Sequence, residues 1–289
     1  MSFRTVVITK QCKCSYKNGY LVVRDMETKM IHLSEIYCLV LDTTAVSITA
    51  YLMVELAKRK IHTIFCDEQH NPAGEILSFY GCHNTSKKIN EQIAWNEVSK
   101  QNMWTIIVSE KIRNQSKTLE HFNSKSSDKL LEYLSEVEFN DITNREGHSA
   151  KVYFNSLFGK SFCRDDKNDI NAALNYGYSI LLSSFNKEVV ANGYLTQLGI
   201  CHKNEFNQFN LSCDLMEPFR PIVDRFVKSK SPFIFDETIK FELLNLLNSK
   251  VLYDGGQYFL TSVISMYVKN VLNTISTENF ENIKFYEVL

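Results

Sequence analysis

Hydrophobic and polar positions alternate along most of residues 1–75, which is the period of half-buried β-strands. RTVVITKQCKCSY is followed by Asn18-Gly19, a strong short hairpin signal, and then by YLVVRD. The segment SITAYLMVELAKRK changes to a helical period, and IHTIFCD is predicted as a closing buried strand. The pattern predicts a small, mostly antiparallel β domain over residues 1–75 that carries one helix and acts as a scaffold or dimer contact.

A stretch with Pro, Gly and Asn, EQHNPAGEILSFYGCHNTSKK, predicts a linker at 76–85. From residue 86 the hydrophobic period is helical almost to the end, which predicts a larger all-α domain over 86–289 and an α+β fold class overall. Ser86 is predicted to cap one long helix that runs through Trp95 to Ile112. Its polar face, interpreted as solvated, collects Lys87, Lys88, Lys100, Lys111 and Arg113.

Two later helices carry local signals. Thr143, followed three residues on by Glu146, matches a capping box. Helix capping would account for Glu146 without a catalytic role. Gly147 is unfavourable inside a helix, and its lack of a side chain is expected to let a metal with a phosphate approach Glu146 closely. Gly177 predicts close packing of another backbone.

Composition excludes several classes of protein. The 289 residues are 44% hydrophobic, which is ordinary for a globular protein. No run approaches the roughly 18 apolar residues of a membrane span, and the N-terminus lacks a signal-peptide layout, so we expect a cytoplasmic protein. The 8 cysteines include no C-x-x-C pair, which argues against a zinc module. The formal net charge of −1 means that any nucleic-acid contact is local or shared with a partner.

The residues best suited to bind a metal lie in one segment, residues 201–225, with the sequence CHKNEFNQFNLSCDLMEPFRPIVDR. His202 lies in a polar run, and Asp214 and Glu217 follow on one helical face. Pro218 and Pro221 stand directly behind them, and Pro221 has no N–H to give the Glu217 carbonyl, which is predicted to be free. A His and two acids suit a hard divalent cation. The spacing of these residues alone predicts no more than a metal-binding, hydrolytic site.

The runs NREGHSAKVYF, ALNYGYSIL and GICHKNEFNQFNLSCDLMEPFRPIVD resemble the CRISPR-associated endonuclease/integrase family, protein one of the adaptation module. The resemblance covers essentially the whole chain, and DLMEPFRP is its most specific motif. The chain length and the NYGY and EPFRP motifs are most similar to those of the type II branch. The resemblance implies a metal-dependent DNA endonuclease/integrase that joins 3′-hydroxyl ends of captured DNA into the CRISPR repeat array.

By position, the family's metal ligands match Glu146 in REG, His202 in GICHK and Glu217 in DLMEPFRP. The implied cofactor is Mg²⁺ or Mn²⁺. Asp214 lies where many members carry a further acid, and we treat it as supporting. Many members show paired histidines where this chain has Cys201-His202, so the ligand is assigned to His202 and Cys201 to packing.

The resemblance also implies partners: double-stranded DNA as incoming fragment and CRISPR repeat, a homodimer, and the small ferredoxin-like second CRISPR adaptation protein. In type II systems the effector nuclease and a ring-forming accessory protein join them. No membrane partner is expected.

Two alternative functions stay open: a catalytically silent helical DNA-binding scaffold, and a metal-dependent phosphodiesterase acting on another nucleic acid. The candidate DNA-backbone contacts are Arg145, Arg164, Lys203 and Arg220.

Overall fold

The structure is a computed structural model that describes residues 4–78, 82–230 and 234–288. The chain divides into two compact units, one formed by residues 1–86 with Val190–Tyr194, and the other by residues 87–189 and 195–289. The first is rich in strands and the second is mainly helical. The predicted fold class, a β-rich part followed by a helical part, is therefore confirmed.

The first unit contains two four-stranded sheets, ordered β1-β5-β7-β8 and β4-β3-β2-β6. A short helix, α1 (Ala50–Lys58), lies between β6 and β7 along the chain. The Asn18-Gly19 hairpin is confirmed, because β2 and β3 pair antiparallel on either side of it and both turn residues have positive φ. The strands are β1 (Arg4–Ile8), β2 (Cys12–Lys17), β3 (Tyr20–Arg24), β4 (Thr28–His32), β5 (Ile36–Leu41), β6 (Val46–Ile48), β7 (His62–Cys66) and β8 (Pro72–Ile76).

The prediction of mostly antiparallel pairing is only half right, because among the described residues of the first unit three strand pairings are antiparallel (β2 with β3, β3 with β4, β7 with β8) and three are parallel. β1 pairs with β5, β5 with β7, and β2 with β6, all in parallel. The physical reason is visible in β5, whose six residues IYCLVL are all buried, since central parallel strands are covered on both faces and read as unbroken apolar runs. Helix α1 provides the crossover that returns the chain parallel to β5.

The segment predicted as a linker, 76–85, begins on the last residue of β8, and residues 79–81 lie outside the described parts of the chain. A helix over Thr85–Ile93, which belongs to the second unit from residue 87 onward, starts at the other end of this segment. Strand β8 is antiparallel to β7, so the sheet reaches further along the chain than the loop-like composition of NPAG suggests.

The second unit is organised around α3, which packs against α4, α5, α7, α8 and α10. The helices are α2 (Thr85–Ile93), α3 (Glu97–His121), α4 (Ser126–Ser135), α5 (Arg145–Phe158), α6 (Asp169–Ala191), α7 (Asn210–Met216), α8 (Arg220–Ser229), α9 (Glu237–Asn245) and α10 (Leu260–Thr277). The single long helix predicted from Ser86 is two helices, because Asn96 takes an extended conformation and caps α3 through its side chain and the Ser99 N–H.

The helical unit also contains a small sheet that the prediction of an all-α domain omitted. Strands β9 (Lys250–Tyr253) and β10 (Gly256–Phe259) form a hairpin through the Asp254-Gly255 turn, and β11 (Tyr286–Val288) pairs antiparallel with β9. The turn residues have the positive φ that such a hairpin needs. Along the described parts of the chain, no helix combines the length and the apolar character needed to cross a bilayer.

Candidate active site

Glu146 lies in the first turn of α5, held there by a cap that the sequence did not predict. Asn144, in a left-handed conformation, caps the helix by accepting the Gly147 N–H, and the Asp141 carboxylate accepts the N–H groups of Arg145 and Glu146 at 2.8 and 3.0 Å. The capping box from Thr143 is therefore wrong.

Gly147 serves this cap. A Cβ added there would lie 2.8 Å from Asn144 Oδ1, so the space beside Gly147 is taken by the capping amide. The prediction that Gly147 opens a path to Glu146 is wrong for the same reason. Gly177, on α6, likewise faces a side chain and not another backbone, because a Cβ there would lie 2.5 Å from Val223 Cγ1.

Glu217 lies on a 3-10 turn, Glu217–Phe219, that joins α7 to α8. The carbonyl of Glu217, predicted to be free, accepts the Arg220 N–H, because the tighter turn replaces the bond that Pro221 cannot supply. The carbonyl that needs an outside partner is that of Pro218. It accepts Asn114 Nδ2 at 3.1 Å from α3 and the Tyr286 hydroxyl at 2.9 Å from β11.

One lysine connects the two glutamates. Lys111 Nζ, on α3, lies 2.5 Å from Glu146 Oε1 and 2.5 Å from Glu217 Oε2, and its side chain is only 9% exposed. The prediction that Lys111 belongs to a solvated helix face is wrong. Arg220 Nε contacts the other Glu217 oxygen at 2.9 Å, so two cations face two carboxylates.

This ion cluster sets the protonation of its members. Burial raises the pKa of Glu217, but the attraction of Arg220 and Lys111 is stronger and brings that pKa to about 2. Burial also opposes the charge of Lys111, yet Glu217 and Glu146 outweigh it and raise the pKa of the ammonium above its usual value. Glu217 is therefore ionised and Lys111 charged at neutral pH.

His202 is held by Asp214, which is fully buried. Asp214 Oδ2 accepts the N–H groups of Ile200 and Cys201 at 2.6 and 2.9 Å, and Asp214 Oδ1 is bonded to His202 Nδ1. The bond from Asp214 is the main reason that the pKa of His202 is raised. Because Nδ1 is engaged, Nε2 is the ring nitrogen directed to a ligand.

Two neighbours fix this loop. The Trp104 ring meets the His202 ring edge-on, with centroids 5.6 Å apart. Gly199 lies so close that an added Cβ would be 2.4 Å from the His202 carbonyl oxygen, and only glycine fits there. Cys201 is half-buried, and burial raises the pKa of its thiol to about 11. A thiol of that kind is a poor metal ligand, in keeping with its assignment to packing.

A further buried acid, Asp224, lies close enough to Arg220 to feel the charge of the guanidinium. Asp224 accepts hydrogen bonds from the hydroxyls of Tyr153, at 3.0 Å, and Tyr178. Burial raises the pKa of Asp224 to about 6 despite these donors. The Arg220 guanidinium lies 4.7 Å from the centre of the Tyr178 ring. No sequence signal pointed to this cluster.

The predicted DNA-backbone cations are all engaged. Arg145 pairs with Glu136 at 3.2 Å, Lys203 with Glu97 at 3.4 Å, and Arg220 with Glu217, while Arg164 contacts Asn171 and Asn175. Lys203 is the most exposed of the three in ion pairs, with 67% of its side chain in solvent. It borders a cavity of about 370 Å³ beside His202 that is also lined by Trp95, Lys100 and Leu198.

The donor chemistry fits a divalent cation. Two ionisable carboxylates and an imidazole nitrogen are ligands that Mg²⁺ or Mn²⁺ accepts, and a carboxylate on the second ring nitrogen is the usual support of a ligating histidine. Within residues 4–78, 82–230 and 234–288, however, no group of three or more His, Cys, Asp or Glu side chains is already arranged to hold a metal. The position between the two glutamates is taken by the Lys111 ammonium.

Comparisons with known proteins bear on the whole chain. The family model described as "CRISPR associated protein Cas1" matches residues 5–231. A curated CRISPR-associated endonuclease Cas1 from Neisseria meningitidis serogroup C (strain 8013) is 30% identical over 296 aligned residues, which cover 100% of this chain and 97% of the relative.

Two solved structures share the fold. A casposase bound to an integration product has a TM-score of 0.76 at 20% identity, covering 97% of this chain and 92% of that one. A Cas6-RT-Cas1–Cas2 complex contains a chain with a TM-score of 0.74 at 17% identity, covering 99% of this chain and 36% of that longer chain.

Proposed function

This chain belongs to the CRISPR-associated Cas1 endonuclease/integrase family, and on that premise we propose that it is a metal-dependent DNA integrase of CRISPR adaptation. It joins the 3′-hydroxyl ends of captured DNA to the CRISPR repeat. The observation that carries the proposal is the meeting of Glu146 and Glu217 on a single cation, Lys111. The first turn of α5 and the 3-10 turn after α7, distant in sequence, thereby bring two carboxylates to one ammonium, and the charges of both glutamates act on His202.

In this proposal Glu146, Glu217 and His202 Nε2 hold Mg²⁺ or Mn²⁺, which when bound polarises the scissile phosphate and stabilises the charge that develops on it. Asp214 keeps the His202 ring in position, and Arg220 keeps Glu217 ionised. Lys100 and Lys203, at the cavity beside His202, provide cations for the DNA backbone.

The reaction is a phosphoryl transfer without a covalent protein intermediate. The incoming 3′-hydroxyl gives up its proton to solvent as its oxygen forms a bond to phosphorus at the repeat end, the P–O3′ bond of the repeat breaks, and the departing O3′ takes up a proton, so that no proton is gained or lost overall. In hydrolysis, water replaces the 3′-hydroxyl. The protein contributes position and charge, which are the main factors in phosphoryl transfer.

The partners follow from family membership. We propose double-stranded DNA, a homodimer, and the small ferredoxin-like second adaptation protein; the name of the Cas6-RT-Cas1–Cas2 complex supports the last for that relative. The type II effector nuclease and the ring-forming accessory protein remain predictions from the NYGY and EPFRP motifs. We also propose that the protein works in the cytoplasm, where a chromosomal repeat array is found.

The test uses a labelled duplex with 3′-hydroxyl ends and a plasmid that carries the repeat, with the second adaptation protein present. Glu146→Ala, His202→Ala and Glu217→Ala are each expected to abolish joining that depends on Mn²⁺ or Mg²⁺ while the protein stays folded. Glu132→Ala, at an exposed glutamate of α4 paired with Lys129, is the matched control and should join at the wild-type rate. A duplex with 3′-deoxy ends should not be joined.

Three results would change the conclusion. Full joining by any one of the three variants would remove that residue from the site. Metal-dependent cleavage without joining would favour the phosphodiesterase alternative. If the wild type ignored metal and all three variants lost thermal stability, the silent scaffold would be the better description.

A further inference from the structure

Lys111 occupies an unusual position for a lysine. Its ammonium lies within 2.5 Å of one oxygen from each glutamate that the proposed function assigns to the metal, and lysine is almost never buried unless it is paired. Arg220 contacts the remaining oxygen of Glu217. The two carboxylates are therefore already neutralised by two cations of the chain itself.

A divalent ion needs the same oxygens. Mg²⁺ binds oxygen ligands at about 2.0–2.1 Å, so an ion shared by Glu146 and Glu217 would lie within the space that Nζ now fills. Two cations cannot share that space, and both would repel each other at close range in a poorly solvated site. Lys111 and the metal thus compete for one position.

Stability alone does not explain the lysine. Burying an ion pair costs desolvation, and well-packed apolar residues of similar volume often serve a fold as well or better. α3 also contributes Met103, Ile107, Val108 and Ile112 to the core, so an apolar side chain at position 111 would suit this helix. The lysine is better explained by the acids it neutralises.

We propose that Lys111 is a built-in counter-cation that holds the site closed to metal, and that its ammonium must leave the Glu146–Glu217 pair before a divalent ion can bind there. The inference rests on the proposed function, since it concerns the same ligands. The flexible four-carbon stem of lysine allows the ammonium to move without a change in the helix. The metal-free protein is thereby kept folded and charge-balanced, and its apparent affinity for metal is the intrinsic affinity multiplied by the fraction of molecules in which Lys111 has left the two glutamates.

The experiment measures Mn²⁺ affinity by electron paramagnetic resonance in the full-length wild type and in Lys111→Met, which keeps the length of the side chain and removes its charge. We expect Lys111→Met to bind Mn²⁺ at least about tenfold more tightly, the change expected when a competing state populated about ten to one is removed. Its melting temperature without metal should fall, and the rise in melting temperature on adding Mn²⁺ should exceed that of the wild type. Lys117→Met, an exposed lysine of the same helix, is the matched control and should bind as the wild type does.

Equal or weaker binding by Lys111→Met, with the wild type binding Mn²⁺ normally, would overturn this inference and leave the proposed function intact. Absence of Mn²⁺ binding in both proteins would overturn the proposed function itself. If Lys111→Met does not fold, a crystal of the wild type soaked in Mn²⁺ decides the matter. Anomalous density between the two glutamates with Nζ moved away supports the inference, and an ion bound with Nζ still between them refutes it.

Discussion

Replacing Asp214 by Asn is expected to loosen the loop that carries His202 and to weaken metal binding at the same time. The Asp214 side chain is fully buried and uses both oxygens. One accepts the backbone N–H groups of Ile200 and Cys201, and the other accepts the His202 N–H at 3.2 Å and is bonded to Nδ1. Asn keeps the shape and replaces one of the two acceptors by a donor.

The expected cost follows from counting the bonds that Asn cannot make. Whichever way the amide is turned, two N–H groups lose their acceptor, and each unsatisfied buried group costs about 1–3 kcal/mol. The free energy of unfolding should therefore fall by about 2–6 kcal/mol, a large part of the roughly 5–15 kcal/mol that holds a domain folded. Loss of a carboxylate behind a ligating histidine usually lowers metal affinity about 10- to 100-fold.

The loss of stability in Asp214→Asn is also predicted to depend on pH. The pKa of His202 is raised in the folded protein, chiefly by Asp214, so this pair stabilises the fold below the ordinary pKa of histidine and ceases to do so as pH rises through the raised value. Asp214→Asn removes that contribution. Its stability deficit should therefore be larger at pH 5 than at pH 8.

Urea unfolding at both pH values and Mn²⁺ titration followed by electron paramagnetic resonance would measure these effects. In a His202→Ala background, Asp214→Asn should still lower stability but should have little further effect on Mn²⁺ affinity. The reasoning would be refuted if the single variant matched the wild type in stability to about 0.5 kcal/mol and bound Mn²⁺ equally well.

Three further predictions concern neighbouring residues. Gly199→Ala would place a Cβ 2.4 Å from the His202 carbonyl oxygen, and should lower stability by about 1–3 kcal/mol and weaken Mn²⁺ binding; unchanged urea and Mn²⁺ titrations would contradict this. Burial raises the pKa of Asp224 from 3.8 to about 6, so the ionised carboxylate destabilises the fold as pH rises. Asp224→Asn should therefore gain about 2 kcal/mol relative to the wild type between pH 4 and pH 7 in urea unfolding, and a constant difference would argue against this. Tyr286→Phe removes the hydroxyl that binds the Pro218 carbonyl and should cost about 1 kcal/mol in the same assay, whereas altered Mn²⁺ affinity would show that this bond does more than hold the turn.

Local signals in the sequence identified much of the fold. Alternation and Asn18-Gly19 located the first hairpin, and helical periodicity located most helices of the second unit. The parallel pairings were missed because strand direction depends on which distant segment comes alongside, as for β5 between β1 and β7. The break before α3 was missed because Asn96 looks unremarkable inside an apolar period.

The candidate site shows the same division. Motif resemblance singled out Glu146, His202 and Glu217, and the structure brings Glu146 and Glu217 to one cation. The role of Lys111 could not be predicted, because its neighbours in sequence, Glu110 and Ile112, do not indicate that its ammonium contacts two distant glutamates. The position of Lys111 among apolar residues of α3 was compatible with burial, but it was equally compatible with a solvated face of the helix.

The Lys111 bridge also fixes when the helical unit can be completed during synthesis on the ribosome. α3 emerges long before Glu217, and at roughly 5–20 residues per second the intervening chain takes roughly 5–20 s to make. The strands β1–β8 all lie before residue 77 and can pair during that interval. Lys111 can pair with Glu146 once α5 has been made, but its second carboxylate is missing until the EPF turn brings Glu217. During that interval the partly compensated ammonium on the inner face of α3 discourages premature burial of that face against the wrong segment.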